Sequence, residues 1–330
     1  MKIRILALLL ALASAGAAPA FAQGVTTTSP PMADELAIQA LLRGETVHGR
    51  VSIPDQRAAN LIQPQGREWR DFHNVTLAWV GGVAVLGMLA ILVVFRMAKG
   101  RIPIEGGPSG RTIQRFNTFE RANHWMVAST FIILALSGLN LTFGRHILLP
   151  LIGPEAFTAV SQWGKVAHNF LAFPFTLGLV LMLLLWVKDN IPNGTDMRWL
   201  KAGGGLVGNA HPDSGRFNAG QKGIFWITVL GGAAVAVTGY LLVFPFVFAD
   251  VNGMQLSHMI HSIVAVVMIA VMLAHIYIGT IGMEGASDAM TSGQVDLNWA
   301  KQHHNLWVVQ EVAKGRGATP PDSAKAAGAD

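Results

Sequence analysis

Five apolar stretches, each about long enough to cross a bilayer as a helix, constrain this chain more than any other feature. They lie near residues 75–95, 124–143, 167–187, 224–248 and 258–281. In hydrocarbon every backbone N–H and C=O has to be satisfied within its own segment, so stretches of this kind predict α-helices. The expected fold class is therefore all-α, a transmembrane bundle of five spans. Composition agrees: 52% of residues are hydrophobic and only 13% charged. Trp79, Trp125, Trp163, Trp186, Trp226 and Tyr240 fall mostly towards span ends, where amphipathic rings meet the headgroups.

Orientation follows from the basic residues. Of 24 Lys and Arg, 15 fall in three segments, 96–123, 188–222 and the tail after 281. The intervening loops, 144–166 and 249–257, hold only Arg145 and Lys165. The positive-inside rule puts those three segments in the cytoplasm, with the mature N-terminus outside and the C-terminus inside. Residues 1–22 read as a signal peptide. Lys2 and Arg4 precede an apolar run, and Ala20-Phe21-Ala22 is a small-x-small cleavage site; an uncleaved anchor helix is the alternative. Residues 23–73 are polar and broken by Pro30, Pro31, Pro54 and Pro64, with one short helix expected over 33–43. The chain has no cysteine, which excludes disulfides, a Cys-ligated iron–sulfur cluster and a c-type haem attachment.

Ionisable residues inside a span mark function by default. His261 and His275 share the fifth span, 14 residues apart. That is four helical turns within about 40°, so both imidazoles project from nearly one face, with a rise of roughly 21 Å between them. Each then lies near one leaflet of a core about 30 Å thick. His124 begins the second span on the cytoplasmic side, and His168 begins the third on the periplasmic side. The depths pair His124 with His275 and His168 with His261. Two bis-His b haems, suited to electron transfer, are what that arrangement requires; histidines hydrogen-bonded between helices are the bland alternative. His258 turns roughly 100° off the face and reads as an interface residue. His48, His73, His146 and His211 read as surface or loop residues. The first span has no His and is expected to pack outside the haem-bearing bundle.

Several stretches carry a family resemblance: RFNTFERANHW, GKVAHNF, NIPNGTDMRWL, RFNAGQKGIFW, LLVFP, the His261…His275 pair and WAKQHHNLW. From about residue 111 to 310 the chain resembles the gamma subunit, cytochrome b556 type, of respiratory membrane-bound formate dehydrogenase. The resemblance implies a four-helix diheme cytochrome b anchor in the bacterial inner membrane. Its implied partners are an iron–sulfur beta subunit and, through it, a molybdenum or tungsten catalytic alpha subunit in the periplasm. Its implied acceptor is a quinone near the cytoplasmic side, at Asn218, Gly220, Gln221 and His275. The residues suit that role: Asn218 and Gln221 offer amide donors, and Gly220 allows close approach. Capping of the fourth helix is the other reading of Asn218. With no Cys and no pterin-binding pattern, the chain itself is not the formate-oxidising subunit. Met283–Val295 matches poorly. The expected organisation is a signal at 1–22, a periplasmic segment at 23–73, an extra helix and linker at 74–110, the diheme domain at 111–310 and a disordered tail at 311–330. A cytochrome b subunit of a hydrogenase or thiosulfate reductase is the alternative.

Overall fold

The computed structural model describes residues 64–205 and 211–317. The expected signal peptide, most of 23–73 and most of the tail lie outside the described residues. Among the described residues five helices are long and apolar enough to cross a membrane: α1 (Glu68–Lys99), α2 (Thr118–Ile147), α3 (Leu149–Trp186), α5 (Ala219–Val243) and α6 (Val251–Gly282). Between and after them run β1 (Thr112–Gln114), α4 (Gly194–Lys201), α7 (Asp288–Thr291), β2 (Gln294–Asp296) and α8 (Leu297–Ala313). The chain is an integral membrane protein.

The spans differ in extent from their apolar cores because polar chemistry, not hydropathy, sets helix ends. Asn117 starts α2 six residues before the apolar run: its Oδ1 accepts from the Glu120 amide at 3.0 Å while Glu120 Oε2 accepts from the Asn117 amide at 3.0 Å. Asp250 caps α6 through the Gly253 amide at 2.8 Å. At the other end, α5 stops at Val243, short of residue 248, because Pro245 cannot continue a helix. The largest departure is the expected 144–166 loop. It is helix almost throughout, broken at Gly153 (φ 77°), after which Pro154 starts the long part of α3. His146 accordingly lies in the last turn of α2 rather than in a loop. His124 and His168 lie inside their helices rather than at the first residue.

α2 packs along α3 and α5 along α6, with α3 joining the two hairpins. Small residues set the approach: a Cβ on Gly178 would lie 2.5 Å from Val127 Cγ2, and one on Gly232 2.6 Å from Leu179 Cδ1. α1 packs on α6, where Gly81 meets Val266, and it carries none of the paired histidines, as expected. One end of the bundle bears a platform. β1 pairs antiparallel with β2, Ile113 opposite Val295, and α8 continues from β2. Its core is Ile113, Phe116, Trp186, Phe217, Val295, Trp299 and Trp307.

Candidate functional site

The two expected histidine pairs form. At the platform end the ring centres of His124 (α2) and His275 (α6) lie 6.3 Å apart. Towards the other end those of His168 (α3) and His261 (α6) lie 6.1 Å apart. Neither α2 nor α3 packs closely on α6, so both pairs face across a gap between helices.

The hydroxyls around the second pair decide which nitrogen is free. Ser137 Oγ lies 2.7 Å from the Ile133 carbonyl and 3.0 Å from that of Leu134, so its single proton is committed to the backbone. The same oxygen lies 2.8 Å from His168 Nδ1, and therefore accepts a proton from it. Thr238 repeats the device: Oγ1 donates to the Ala234 carbonyl at 2.7 Å and accepts from His261 Nδ1 at 3.1 Å. With both Nδ1 atoms carrying hydrogen, both Nε2 lone pairs are free to bind a metal. Fixing the tautomer through the other ring nitrogen is how proteins orient imidazole ligands. A glycine follows each hydroxyl. A Cβ on Gly138 would come 3.6 Å from His168 Cε1, and one on Gly239 3.3 Å from His261 Cε1. Ser137-Gly138 and Thr238-Gly239 did not stand out in the sequence, although the hydroxyl–glycine pair recurs in two spans. At the platform end His124 Nδ1 is enclosed and has no hydrogen-bond partner among the described residues.

These pairs fit a porphyrin-bound iron better than a bare ion. Among the described residues no three His, Cys, Asp or Glu converge on one point. Each pair instead brings two imidazoles together, which would hold a haem iron and let it supply one-electron transfer. Metal–imidazole bonds of about 2.0–2.1 Å place the centres of two collinear rings about 6.3 Å apart, close to both observed spacings.

His258 lies off this face, as expected, with Trp69 edge-on to it at 5.7 Å; Trp69 also stacks on His73 at 5.2 Å. His211 pairs with Glu105 at 2.7 Å.

Asn218 and Gln221 sit where the platform meets α5. Asn218 Oδ1 accepts from the Gln221 amide at 2.9 Å, and Gln221 Oε1 from the Asn218 amide at 3.2 Å. This capping box occupies the side-chain oxygens and not the NH2 groups. Gly220 approaches Trp199 of α4, 3.2 Å from where a Cβ would stand. Behind the box lies Arg115, 4% exposed, which donates to the Arg216 carbonyl at 2.6 Å and Gln221 Oε1 at 3.4 Å. Burial, and then the neighbouring Arg216, push its pKa down to about 9, with Glu120 opposing. Glu120 is taken by others: its Oε1 accepts from Arg216 Nη2 and Trp186 Nε1, each at 2.7 Å. Burial works against the Arg216 charge, but Asp189 and Glu120 outweigh it and hold that guanidinium above its usual value.

The family model for prokaryotic cytochrome b561 matches residues 115–293. The chain is similar to the formate dehydrogenase cytochrome b556(fdo) subunit of Escherichia coli K12, 32% identical over 208 residues, 62% of this chain and 94% of that one. It is also similar to the nitrate-inducible cytochrome b556(Fdn) subunit from the same strain, 32% identical over 210 residues, 62% and 93% of the two chains. The formate dehydrogenase cytochrome b556 subunit of Haemophilus influenzae is 29% identical over 208 residues, 61% and 84% of the two chains. α1 precedes the family match.

Proposed function

Because the chain belongs to the prokaryotic cytochrome b561 family, with relatives that are formate dehydrogenase cytochrome b556 subunits, we propose that its histidine pairs hold two b haems linking formate oxidation to quinone. A membrane cytochrome b of this family carries haem b and anchors a complex. The number and placing of the haems are read from the chain's own residues: His124 with His275 near the cytoplasmic face, His168 with His261 near the periplasmic face. Bound there, they supply one-electron transfer between a periplasmic iron–sulfur beta subunit, itself fed by a molybdenum or tungsten alpha subunit, and quinone. The chain's groups do the rest. Ser137 and Thr238 hold the outer imidazoles in one tautomer, and Gly138 and Gly239 leave room beside them. Asn218 and Gln221 present NH2 donors to a quinone carbonyl beside His275, at a hydrated membrane edge where protons are at hand. The basic-residue asymmetry supports a cytoplasmic position for that edge, and the likeness to the Escherichia coli subunits supports the bacterial inner membrane.

The observation that carries this reading is the contact of Ser137 Oγ with His168 Nδ1 at 2.8 Å and of Thr238 Oγ1 with His261 Nδ1 at 3.1 Å, an arrangement that leaves each Nε2 for a metal and that a purely structural interhelical histidine does not need. The test of the quinone end is Asn218→Ser. A serine oxygen keeps the helix cap, whose loss would cost about 1 kcal/mol, while the amide donor disappears. In membranes, cytochrome content and its reduction by formate should stay at the wild-type level while quinone reduction falls at least tenfold. Unimpaired quinone turnover would move the site elsewhere.

A further inference from the structure

The two histidine pairs differ in what stands behind their rings. In the His168–His261 pair each imidazole meets a hydroxyl, Ser137 Oγ at 2.8 Å from His168 Nδ1 and Thr238 Oγ1 at 3.1 Å from His261 Nδ1. Both hydroxyls sit in apolar spans and give their one proton to their own helix, at the Ile133 and Ala234 carbonyls, each 2.7 Å away. Having done so, they keep only lone pairs for the imidazoles. The Leu134 carbonyl also faces His168, and the Val235 carbonyl faces His261. A carbonyl can only accept. Leu134 and Val235 each lie about one turn before the hydroxyl residue, so a single turn of α2 or of α5 presents acceptors to one ring.

The His124–His275 pair has no such backing. His124 Nδ1 is enclosed without a hydrogen-bond partner among the described residues. His275 makes no side-chain hydrogen bond among them either. An imidazole that donates from Nδ1 is more basic at Nε2. A more basic axial ligand favours ferric over ferrous iron, because the oxidised iron carries the greater positive charge. Hydrogen bonding behind the ligand is therefore one of the means by which a protein sets a haem potential.

We propose that Ser137 and Thr238 hold the haem of the His168–His261 pair at a lower reduction potential than the haem of the His124–His275 pair. The proposal rests on the reading of the two pairs as haem sites. Both hydroxyls act through the imidazoles and are positioning residues. The order they set runs downhill from the outer pair to the inner one, the direction proposed above for electrons from formate.

The test is spectroelectrochemistry of both haems in the whole detergent-solubilised complex. His124→Ala should leave only the outer haem, whose potential then identifies it in the unmodified complex. The outer haem should lie below the inner one by at least tenfold in the one-electron equilibrium, about 59 mV. Ser137→Ala combined with Thr238→Val should raise the outer potential by at least threefold, about 28 mV, and leave the inner one within about twofold. Each single variant should raise it in the same direction, which keeps the test open if the double variant loses its outer haem. Ser137→Thr combined with Thr238→Ser keeps both oxygens and should leave both potentials at their wild-type values, which a packing effect would not do. With two haems per chain present, an outer potential equal to or above the inner one overturns the proposal. So do hydroxyl-free variants that keep the wild-type outer potential. If His124→Ala and His168→Ala each retain two haems, the reading of the pairs as haem sites fails instead.

Discussion

Replacing Thr238 with valine removes the hydroxyl's bonds to His261 and to the Ala234 carbonyl and almost no volume. Oγ1 stands 3.1 Å from His261 Nδ1 and 2.7 Å from the Ala234 carbonyl, so the variant strips the imidazole of its acceptor while leaving the Gly239 gap intact. Outer-shell partners of metal-bound histidine are worth 10–100-fold in metal affinity. At about 1.4 kcal/mol per tenfold, that is roughly 1.4–2.7 kcal/mol. Ser137→Ala acts on His168 in the same way, across a 2.8 Å bond. The assay is haem transfer from the purified protein to an excess of apomyoglobin, followed by absorbance. Wild-type protein should release two kinetically separate haems. Thr238→Val should speed loss of the His168–His261 haem about 10–100-fold and leave the His124–His275 haem within about twofold, since Thr238 touches only the first pair. Equal release from Thr238→Val and wild type would refute the argument that the hydroxyl fixes the ligating tautomer.

Alanine at His124 or His275 should cost the platform-side haem and at His168 or His261 the other, each halving haem per chain by pyridine haemochrome; full content in any one variant would remove that ligand from its pair. Glu120→Ala should destabilise the protein by about 3–5 kcal/mol in detergent denaturation, because Arg216 loses one of its two carboxylates and Trp186 its acceptor inside the platform; a loss below about 1 kcal/mol would mean that water replaces the carboxylate. His304 stays neutral far below the ordinary histidine pKa, so below about pH 6.5 the unfolded chain binds a proton that the folded chain refuses, and stability should fall by up to about 1.4 kcal/mol per pH unit. Thermal melts from pH 8 to 5.5 should show stability falling, and His304→Leu should lessen the slope by up to about that amount, with His303 still contributing. A periplasm-active reporter fused after Gly317 should be silent; activity there would invert the topology.

The spans and the pairing of the histidines were legible because both are one-dimensional. Hydrocarbon demands uninterrupted apolar helix, and rise per residue converts the spacing of His261 and His275 directly into depth. The basic residues give an expected direction in the same way. Helix ends were less legible, since Asn117, Asp250 and Pro245 act by local geometry that hydropathy does not register. The same holds for the 144–166 stretch, which reads as loop between two spans yet continues as α3 once Gly153 and Pro154 have set its start. RFNAGQK could be read as a cap or a binding surface, and the fold shows its oxygens in the capping box with its NH2 groups left over. Only the tertiary structure brought Ser137 to His168 across 31 residues and Thr238 to His261 across 23. It also set Arg115 beside Gln221 across 106 residues, with Trp299, His303 and His304 around it. The amino-acid sequence thus determined the five apolar helices among the described residues and which histidines pair between them, because those follow from the chain's own periodicity. Which nitrogen is free, and which imidazoles find an acceptor, depended on groups from distant segments, because a hydrogen bond exists only where two partners meet within about 3 Å.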